Sequence, residues 1–325
     1  MRDLTGKLER VKTFLIDYSL YILIAIFLVV FVSLSPAFLS ASNLLILIEN
    51  ASPLLLLSLG MAFVLLIGEI DLSVGSILCV GALLWGHCVS NWGLDMFLST
   101  MIVLIVCGCL GAINALLITK LHIGSFLATL GTQIVISGMC YLVTDCVQIN
   151  LSEEIRQITT RRVWDMISPV ALIALFMVAV CVYLYTHTRF GRHIKATGTN
   201  RSAAKKIGIN TTHIMMSSFI ISGLMAGSAG IAHVYINSSA LASKTGVGDE
   251  FTAITACVLG GVSLFGGVGS FFPGVMIGVL FLKLIENALN VVGTDPYLFS
   301  VIKGVIIFLA MFADSLKRSL RPSHE

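Results

Sequence analysis

The sequence predicts an all-α membrane protein, because it is poor in charge, rich in long apolar runs and asymmetric in the placement of its basic residues. The chain has 325 residues, of which 57% are hydrophobic and only 11% are charged. Soluble domains carry about 25% charged residues, so this chain lacks the polar surface that a water-soluble fold requires. Runs of roughly 20 apolar residues can cross a bilayer as helices, and these runs lack the period-two alternation of barrel strands.

Ten apolar runs can be separated along the chain, so we expect about ten transmembrane helices, some of them broken, in a single transmembrane domain over 1–325. The second run contains Ser52 and Pro53, and we expect a kink or a break there. The first run is longer than a usual secretory signal core, which favours an uncleaved helix. The predicted spans are 18–37, 44–66, 72–90, 96–118, 123–143, 165–186, 214–236, 251–267, 273–293 and 297–314.

The basic residues predict the orientation of these spans. With the N-terminus in the cytoplasm, fourteen Lys and Arg residues fall in inner segments and four fall in outer segments. Basic residues are enriched in cytoplasmic loops, so both termini are expected to be cytoplasmic. The cytoplasmic parts are then an N-terminal segment at 1–17, a loop at 187–213 and a tail at 315–325. The outer segment 144–164 has mixed charge and suits a small lid or a docking surface.

The loop at 187–213 carries six Lys or Arg residues and no acid. One interpretation is a topogenic loop that lies near anionic lipid. Its pattern also predicts a short helix over 201–207, with Asn200 or Thr199 as the N-cap and Gly208 at its end. Small side chains on the surface of this helix would let another protein approach closely. The small residues expected on that surface are Ala203 and Ala204.

Motifs of small and polar residues occur in order along the chain. The most specific is GEIDLSVGS at 68–76, and SFLATLGT follows at 125–132. The basic loop fits the pattern TxxGRxIxAxGxNxxAAxxxGI at 188–209. LGGVSLFGG then occupies 259–267, and NALN occupies 287–290. Together these motifs resemble those of the ribose/xylose/arabinose-type permeases of bacterial ATP-binding-cassette importers, which are related to branched-chain amino acid permeases.

The resemblance implies a permease subunit of the bacterial inner (plasma) membrane that translocates a sugar or sugar-like solute by alternating access. Two permease chains, as a homodimer or a paralogous heterodimer, would pair with two cytoplasmic ABC ATPase subunits, and a periplasmic substrate-binding protein would deliver the solute. The lipid bilayer is the other expected partner, with no nucleic acid and no cofactor. The residues that would couple to the ATPase are Asn200, Arg201, Ala203, Ala204, Lys205, Gly208 and Ile209.

Four sites, one of them a residue pair, depart from the pattern of the family that the chain resembles. Glu69 stands where that family usually has Gly, and Ser137 replaces a commonly basic residue. Glu49 and Asn50 fall where Arg-Gln is frequent, and Thr252 falls where Asp is frequent. These departures indicate either an unusual solute or a diverged paralogue.

Polar residues within the predicted spans are candidates for the translocation pathway, because polar groups inside a membrane are costly and usually face a cavity or a partner. Lys283 and Glu286 are spaced to form an ion pair, which could be purely structural, and Lys303 could compete for Glu286. Asp71 could be a structural N-cap instead of a pathway residue. The candidate pathway residues are Asn50, Asp71, Ser73, Asn114, Glu286, Asn287 and Asn290.

Two internal patterns bear on packing. The sequence GGVSL at 260–264 resembles GEIDL at 68–72, which hints at an internal repeat of the kind that many transporters have. The predicted topology puts both turns on the cytoplasmic side. Gly223 and Gly227 have the spacing of closely packed helices, which predicts packing within the chain, with a homodimer seam as the alternative.

No catalytic or metal site is predicted. The sequence contains no Walker A, HExxH or GxSxG motif, so the chain is not expected to be an enzyme, and ATP hydrolysis would belong to a partner. The eight cysteines include no CxxC pair, which favours a packing role. The alternative function is a stand-alone secondary transporter or channel for a small polar solute. Such a protein needs an ion or proton site within its spans, for which Glu286 is the candidate.

Overall fold

The computed structural model describes residues 36–163 and 166–293, together with 27, 29, 31–33, 298, 301–302, 304–306 and 308. These residues are mostly helical, which confirms the all-α membrane class. Six helical stretches among them are long and apolar enough to cross a membrane. Most of the predicted first and tenth spans, and the segments 1–17 and 315–325, lie outside the described residues.

The described helices follow one another with short connections, after a single 3-10 turn at Pro36–Leu39. A two-residue antiparallel pair, β1 (Ile149–Asn150) with β2 (Ser239–Ala240), joins the outer segment to the end of α9. A π-helical turn at Phe271–Val275 leads into the last helix. The helices are α1 (Ala41–Leu66), α2 (Val74–Ser90), α3 (Met96–Lys120), α4 (Ser125–Thr144), α5 (Glu153–Thr159), α6 (Pro169–His187), α7 (Arg189–Thr199), α8 (Arg201–Lys206), α9 (Thr211–Asn237), α10 (Asp249–Leu259) and α11 (Met276–Val292).

Polar side chains begin several of these helices. The Ser40 hydroxyl accepts the amide of Asn43 at the start of α1, and the Asp95 carboxylate accepts two amides at the start of α3. Such caps satisfy backbone donors that have no partner within the helix. α1 continues through Pro53 as a single helix, so the helix is not broken at that position.

α9 is the central helix and packs against α1, α2 and α3. Glycines on α9 bring the backbones together: a Cβ at Gly223 would lie 2.3 Å from the Cys107 carbonyl oxygen of α3. A Cβ at Gly230 would lie 2.2 Å from the Leu78 carbonyl oxygen of α2. Close approach through small residues is a common means of packing membrane helices. The predicted internal role of Gly223 is therefore confirmed.

The predicted eighth span, 251–267, is wrong as a continuous helix. α10 has only 11 residues and ends at Leu259. Gly261, with a φ of +85°, begins an irregular turn that extends to Ser270. The turn remains hydrogen-bonded inside the protein, for example from the Gly267 amide to the Leu66 carbonyl oxygen at 2.9 Å. Irregular backbone at membrane depth is tolerated where protein groups satisfy it in this way.

The basic loop holds two helices, of which the sequence predicted one. α7 starts directly after α6, and the Thr188 hydroxyl accepts the Gly191 amide at its N-terminus. Its buried residues, Gly191, Ile194 and Thr197, recur every three residues, while Arg192 and Lys195 are exposed. This spacing places one face of α7 against the protein. α8 begins at the predicted residue and ends one residue earlier than predicted.

Candidate functional site

A cavity of about 410 Å³ lies between α1, α9, α10, α11 and the segment 241–248. It is next to the end of α9 that leads into β2. Leucines of α1, at 47, 54 and 57, form part of its apolar wall. The polar side chains that line it are Asn50, His233, Asn237, Lys244, Asp249, Thr252, Lys283, Glu286, Asn287 and Asn290.

Four of the seven predicted pathway residues line this cavity, namely Asn50, Glu286, Asn287 and Asn290. The predicted ion pair between Lys283 and Glu286 is confirmed, with Nζ 2.8 Å from Oε2. Lys303, the possible competitor, lies outside the described residues. The structure therefore gathers the polar residues of α11 on the cavity side of that helix.

Asn287 also joins α11 to the start of α1. Its side-chain amide donates to the Asn43 Oδ1 at 3.0 Å, and the Asn43 amide donates to the Asn287 Oδ1 at 2.8 Å. Each amide thus satisfies the other at the rim of the cavity. These bonds occupy the side-chain donor and acceptor of Asn287 that face α1. The side-chain amides of Asn50 and Asn290 are therefore more accessible to a solute than that of Asn287.

The remaining polar lining comes from residues that the sequence analysis did not single out as pathway residues. His233 and Asn237 lie at the end of α9, and Lys244 and Asp249 lie around the start of α10. Thr252 was noted only as a departure from the family pattern. The sequence did contain a signal for part of this lining. Lys244, Asp249 and Thr252 flank Gly246 and Gly248, which mark an irregular break before a short helix. Broken helices are where transporters commonly bind solutes.

Among the described residues, the charges of the cavity wall balance. Lys244 and Lys283 contribute two ammonium groups, and Asp249 and Glu286 contribute two carboxylates. A solute with a net charge would therefore find no excess of opposite charge. Amide and hydroxyl groups between the charges can donate and accept hydrogen bonds. This lining suits a small uncharged molecule with several hydroxyl groups.

The other three predicted pathway residues, Asp71, Ser73 and Asn114, are fully buried and do not line the described cavity. The Asp71 Oδ1 accepts from the Ser73 hydroxyl at 2.6 Å and from its amide at 3.1 Å. The Asp71 Oδ2 accepts from the Ser222 hydroxyl at 3.0 Å. The Asn114 amide donates to the Ser73 hydroxyl at 2.7 Å. These bonds make the cluster a junction of α2, α3 and α9.

The backbone of the turn 67–73 is held by the start of α4. The Leu72 amide donates to the Thr129 hydroxyl at 3.1 Å, and the Ile70 amide donates to the Ser125 hydroxyl at 3.3 Å. The turn therefore leads from the end of α1 into the protein interior with its amides satisfied. The structural interpretation of Asp71 is the one that this geometry supports.

The turn 67–73 and the turn after α10 meet beside the C-terminal end of α7, at a contact that we call the inner junction (Leu66, Gly68, Gly198, Gly266 and Gly267). A Cβ at Gly198 would lie 1.9 Å from the Leu66 carbonyl oxygen and 2.5 Å from the Gly267 nitrogen. A Cβ at Gly266 would lie 2.7 Å from the Gly68 nitrogen. The two turns with similar sequences are therefore on the same side of the protein, as the predicted topology requires.

α8 projects from this junction. The Asn200 Oδ1 accepts the Ala203 amide at 3.0 Å, which confirms Asn200 as the N-cap. Ala203 is exposed as predicted, but Ala204 is buried, with 2% of its surface accessible. The prediction that both alanines are exposed is wrong for Ala204, because that side of α8 faces α7 and α9.

The exposed side of α8 includes a residue that the sequence analysis missed. Ile207 is 76% exposed at the C-terminal end of the helix, next to Gly208, which has a φ of +86°. Of the other predicted coupling residues, Arg201 and Lys205 are exposed and Ile209 is half-buried. Ile207 and Ala203 are four residues apart and so lie on one face. An exposed isoleucine among basic residues was the available signal.

Both acidic departures on α1 and the turn after it form ion pairs. Glu49, next to Asn50 in α1, binds Arg162 of the outer segment at 2.8 Å. Glu69, in the turn after α1, binds Arg201 at the start of α8 at 2.5 Å. Glu49 thus connects α1 to the segment 144–164, and Glu69 connects the turn after α1 to the basic loop at 187–213.

No group of His, Cys, Asp or Glu side chains that could hold a metal ion occurs among the described residues. The cysteines in that part of the chain are free, and most of them are buried. The polar groups described above can bind a solute through hydrogen bonds, and they are not arranged as a nucleophile with a base.

A family model described as "Branched-chain amino acid transport system / permease component" matches residues 43–311 of this chain. The Ribose import permease protein RbsC of Haemophilus influenzae is 32% identical to it over 320 residues, which cover 97% of this chain and 98% of the relative. No solved structure matches the chain.

Two further relatives are named for other solutes. The D-allose transport system permease protein AlsC of Escherichia coli (strain K12) is 33% identical over 302 residues, which cover 92% of this chain and 91% of the relative. The Autoinducer 2 import system permease protein LsrC of Photorhabdus luminescens is 32% identical over 280 residues, which cover 86% and 83%. The similarity therefore extends over nearly the whole length of each protein.

Proposed function

Since this chain belongs to the family of branched-chain amino acid transport system permease components, we propose that it moves a small, uncharged, polyhydroxylated solute by alternating access, driven by a separate ATPase subunit. The chain is a multi-pass inner-membrane permease subunit of an ABC importer, and it is not an enzyme. A stand-alone secondary transporter is not favoured. The observation that carries the proposal is the charge-balanced, amide-lined cavity between α1, α9, α10 and α11.

The solute class rests on the cavity and on the relatives. Their names specify ribose, D-allose and autoinducer 2, so a sugar or sugar-like solute agrees with the hydrogen-bonding groups of the wall. The candidate solute-binding amides are Asn50 and Asn290, with Glu286 and Asn287 beside them. Asp71, Ser73 and Asn114 are proposed to hold the helices around the pathway.

The topology completes the proposal. About ten spans with both termini in the cytoplasm would place α7 and α8 inside and the cavity towards the periplasm. The periplasmic end would receive the solute from a substrate-binding protein, and a second permease chain, identical or paralogous, would complete the pore. Orientation is tested by labelling single cysteines introduced at Ser202 and at Gln157, both exposed, in a variant whose eight native cysteines are replaced by serine or alanine. Labelling of the first from outside intact cells would refute it.

The exposed face of α8 is proposed as the ATPase docking surface. Ala203 leaves room for a close approach, and the 76% exposed Ile207 offers an apolar contact. Burial of an isoleucine contributes about 1.5–3 kcal/mol, which is enough to anchor an interface rimmed by Arg201 and Lys205. A movement of the docked ATPase would then be transmitted through α8 to the spans.

The decisive experiment reconstitutes the purified permease in vesicles with and without its companion ATPase. We expect solute uptake only with the ATPase and ATP. We expect Ala203→Asp and Ile207→Glu to lose at least tenfold in uptake and in co-purified ATPase, about the effect of 1.4 kcal/mol, while still inserting into the membrane. The control Lys120→Gln, at the exposed last residue of α3, should behave as wild type. Uptake by the permease alone would refute the proposal.

The cavity is tested separately by solute binding. Asn290→Leu and Asn50→Leu should each raise the solute concentration for half-maximal uptake about fivefold or more, as expected when about 1–3 kcal/mol of hydrogen bonding is lost. A phosphorylated form of the same sugar should not compete, because the wall has no excess positive charge. Competition by the phosphorylated sugar at equal concentration would contradict the assignment.

A further inference from the structure

We propose that Glu69 is a positioning residue for energy coupling: its ion pair with Arg201 connects α8 to the turn after α1, so that movement of α8 is passed to the wall of the cavity. The inference rests on the proposed function, in which α8 receives the ATPase. The role of Glu69 is separate from the docking of the ATPase on the exposed face of α8.

The geometry of the pair is direct. The Arg201 Nη2 lies 2.5 Å from the Glu69 Oε1, and the two side chains are 43% and 15% exposed. The Glu69 amide donates to the Val64 carbonyl oxygen at 3.2 Å, which fixes its backbone to the last turn of α1. Arg201 is the first residue of α8, directly after the cap Asn200. A charge-assisted bond therefore joins the end of one helix to the start of another.

α1 carries this connection to the cavity. It runs without a break from Ala41 to Leu66, and Leu47, Asn50 and Leu54 along it line the cavity. A rigid helix moves as a unit, so a displacement at its inner end changes the cavity wall. α8 otherwise packs mainly against α7 and α9, and the Glu69 side chain supplies a direct path from α8 to α1.

The pair is well suited to coupling because it contributes little to folding. Ion pairs with one partner substantially exposed add little net stability, since solvent screens them. Glu69→Gln should therefore leave insertion, thermal stability and ATPase co-purification unchanged. Its effect should be confined to the amount of solute moved for each ATP hydrolysed.

The test uses the permease purified with its companion ATPase and reconstituted in vesicles, with uptake and ATP hydrolysis measured on the same sample. We expect Glu69→Gln and Arg201→Gln each to lower the number of solute molecules moved per ATP by about fivefold, the lower end of typical coupling effects. The double variant Glu69→Arg with Arg201→Glu restores the pair in reverse and should recover the ratio to within about twofold of wild type. Lys120→Gln serves as the control.

Two transport results would overturn the inference, and a third result would come from purification. One is a wild-type transport ratio in Glu69→Gln, and the other is a charge-reversed double variant that is as poor as its two single changes combined. Loss of ATPase from purified Glu69→Gln would also count against it, because docking would then be the role. If Ala203→Asp still supports ATP-coupled uptake, the proposed function fails instead. If that variant fails while Glu69→Gln is normal, only the present inference is wrong.

Discussion

Replacement of Gly198 by alanine should damage the inner junction, because no space exists there for a methyl group. The added Cβ would lie 1.9 Å from the Leu66 carbonyl oxygen, and ordinary contact begins at 3.4 Å. α7 and the end of α1 would therefore have to separate by about 1.5 Å. A shift of the Leu66 carbonyl away from the added methyl group would break its 2.9 Å hydrogen bond from the Gly267 amide.

The cost follows from two effects. Forcing a methylene-sized group into packed structure costs about 1–3 kcal/mol, and leaving a buried amide or carbonyl without its partner costs about 1–3 kcal/mol. Alanine regains roughly 1 kcal/mol through its higher helix propensity. We expect Gly198→Ala to lower the free energy of unfolding by about 1–5 kcal/mol.

The assay is thermal unfolding of the detergent-purified permease, together with ATP-driven uptake in vesicles. Gly131→Ala is a matched control, since Gly131 is also helical and an added Cβ there meets no atom within 4 Å. It should be neutral or slightly stabilising. Because the inner junction contacts α1, α7 and the turn after α10, Gly198→Ala should also uncouple ATP hydrolysis from uptake. An unchanged melting temperature and wild-type uptake would refute the packing argument.

Three further predictions address the polar contacts. Asp71→Asn should lower the free energy of unfolding by about 1 kcal/mol, since the amide oxygen and nitrogen of asparagine can replace both sets of bonds. Asp71→Leu should lower it by about 2–4 kcal/mol, because buried donors are left unpaired. Equal melting temperatures for the two variants would contradict a structural role. Glu49→Gln and Arg162→Gln should each cost less than about 1 kcal/mol, and the loss should shrink in high salt, as thermal unfolding at two salt concentrations would show. Asn43→Leu should cost about 1–2 kcal/mol by orphaning the Asn287 amide, and the double variant with Asn287→Leu should regain part of that stability without regaining uptake.

Features decided by local sequence were predictable. Asn200 lies just before a short polar helix and has the side chain of an N-cap, so its contact with the Ala203 amide could be predicted. Lys283 and Glu286 are one turn apart, so their ion pair could be predicted too. The polar residues of α11 were expected to face a cavity because exposure to lipid would be costly, and the structure places them there.

Features decided by contacts between distant segments were not predictable. Glu69 and Arg201 are 132 positions apart, and nothing in either local sequence specifies the other. The Ser222 hydroxyl donates to the Asp71 carboxylate, which is 151 positions earlier in the chain. Asp71 was expected to line the pathway, but this contact makes it part of a buried structural cluster. The burial of Ala204 likewise depends on how α8 lies against α7 and α9. A small residue fits either the buried or the exposed side of a helix, so the sequence could not show on which side Ala204 lies.

The break after α1 and the break after α10 are irregular backbone segments that stay hydrogen-bonded within a largely apolar bundle. Each break frees backbone groups from helical bonding, and each regains partners from the other segment or from α4. Glycines with positive φ, Gly68 and Gly267 among them, let the chain reverse where side chains would clash. Because the two breaks contact each other and α7, the proposed movement of α7 and α8 would act on both α1 and α10. These are the two helices that carry Asn50 and Thr252 into the cavity, so in the proposed mechanism the hydrogen-bonded backbone of the two breaks would link the docking surface of α8 to the solute cavity.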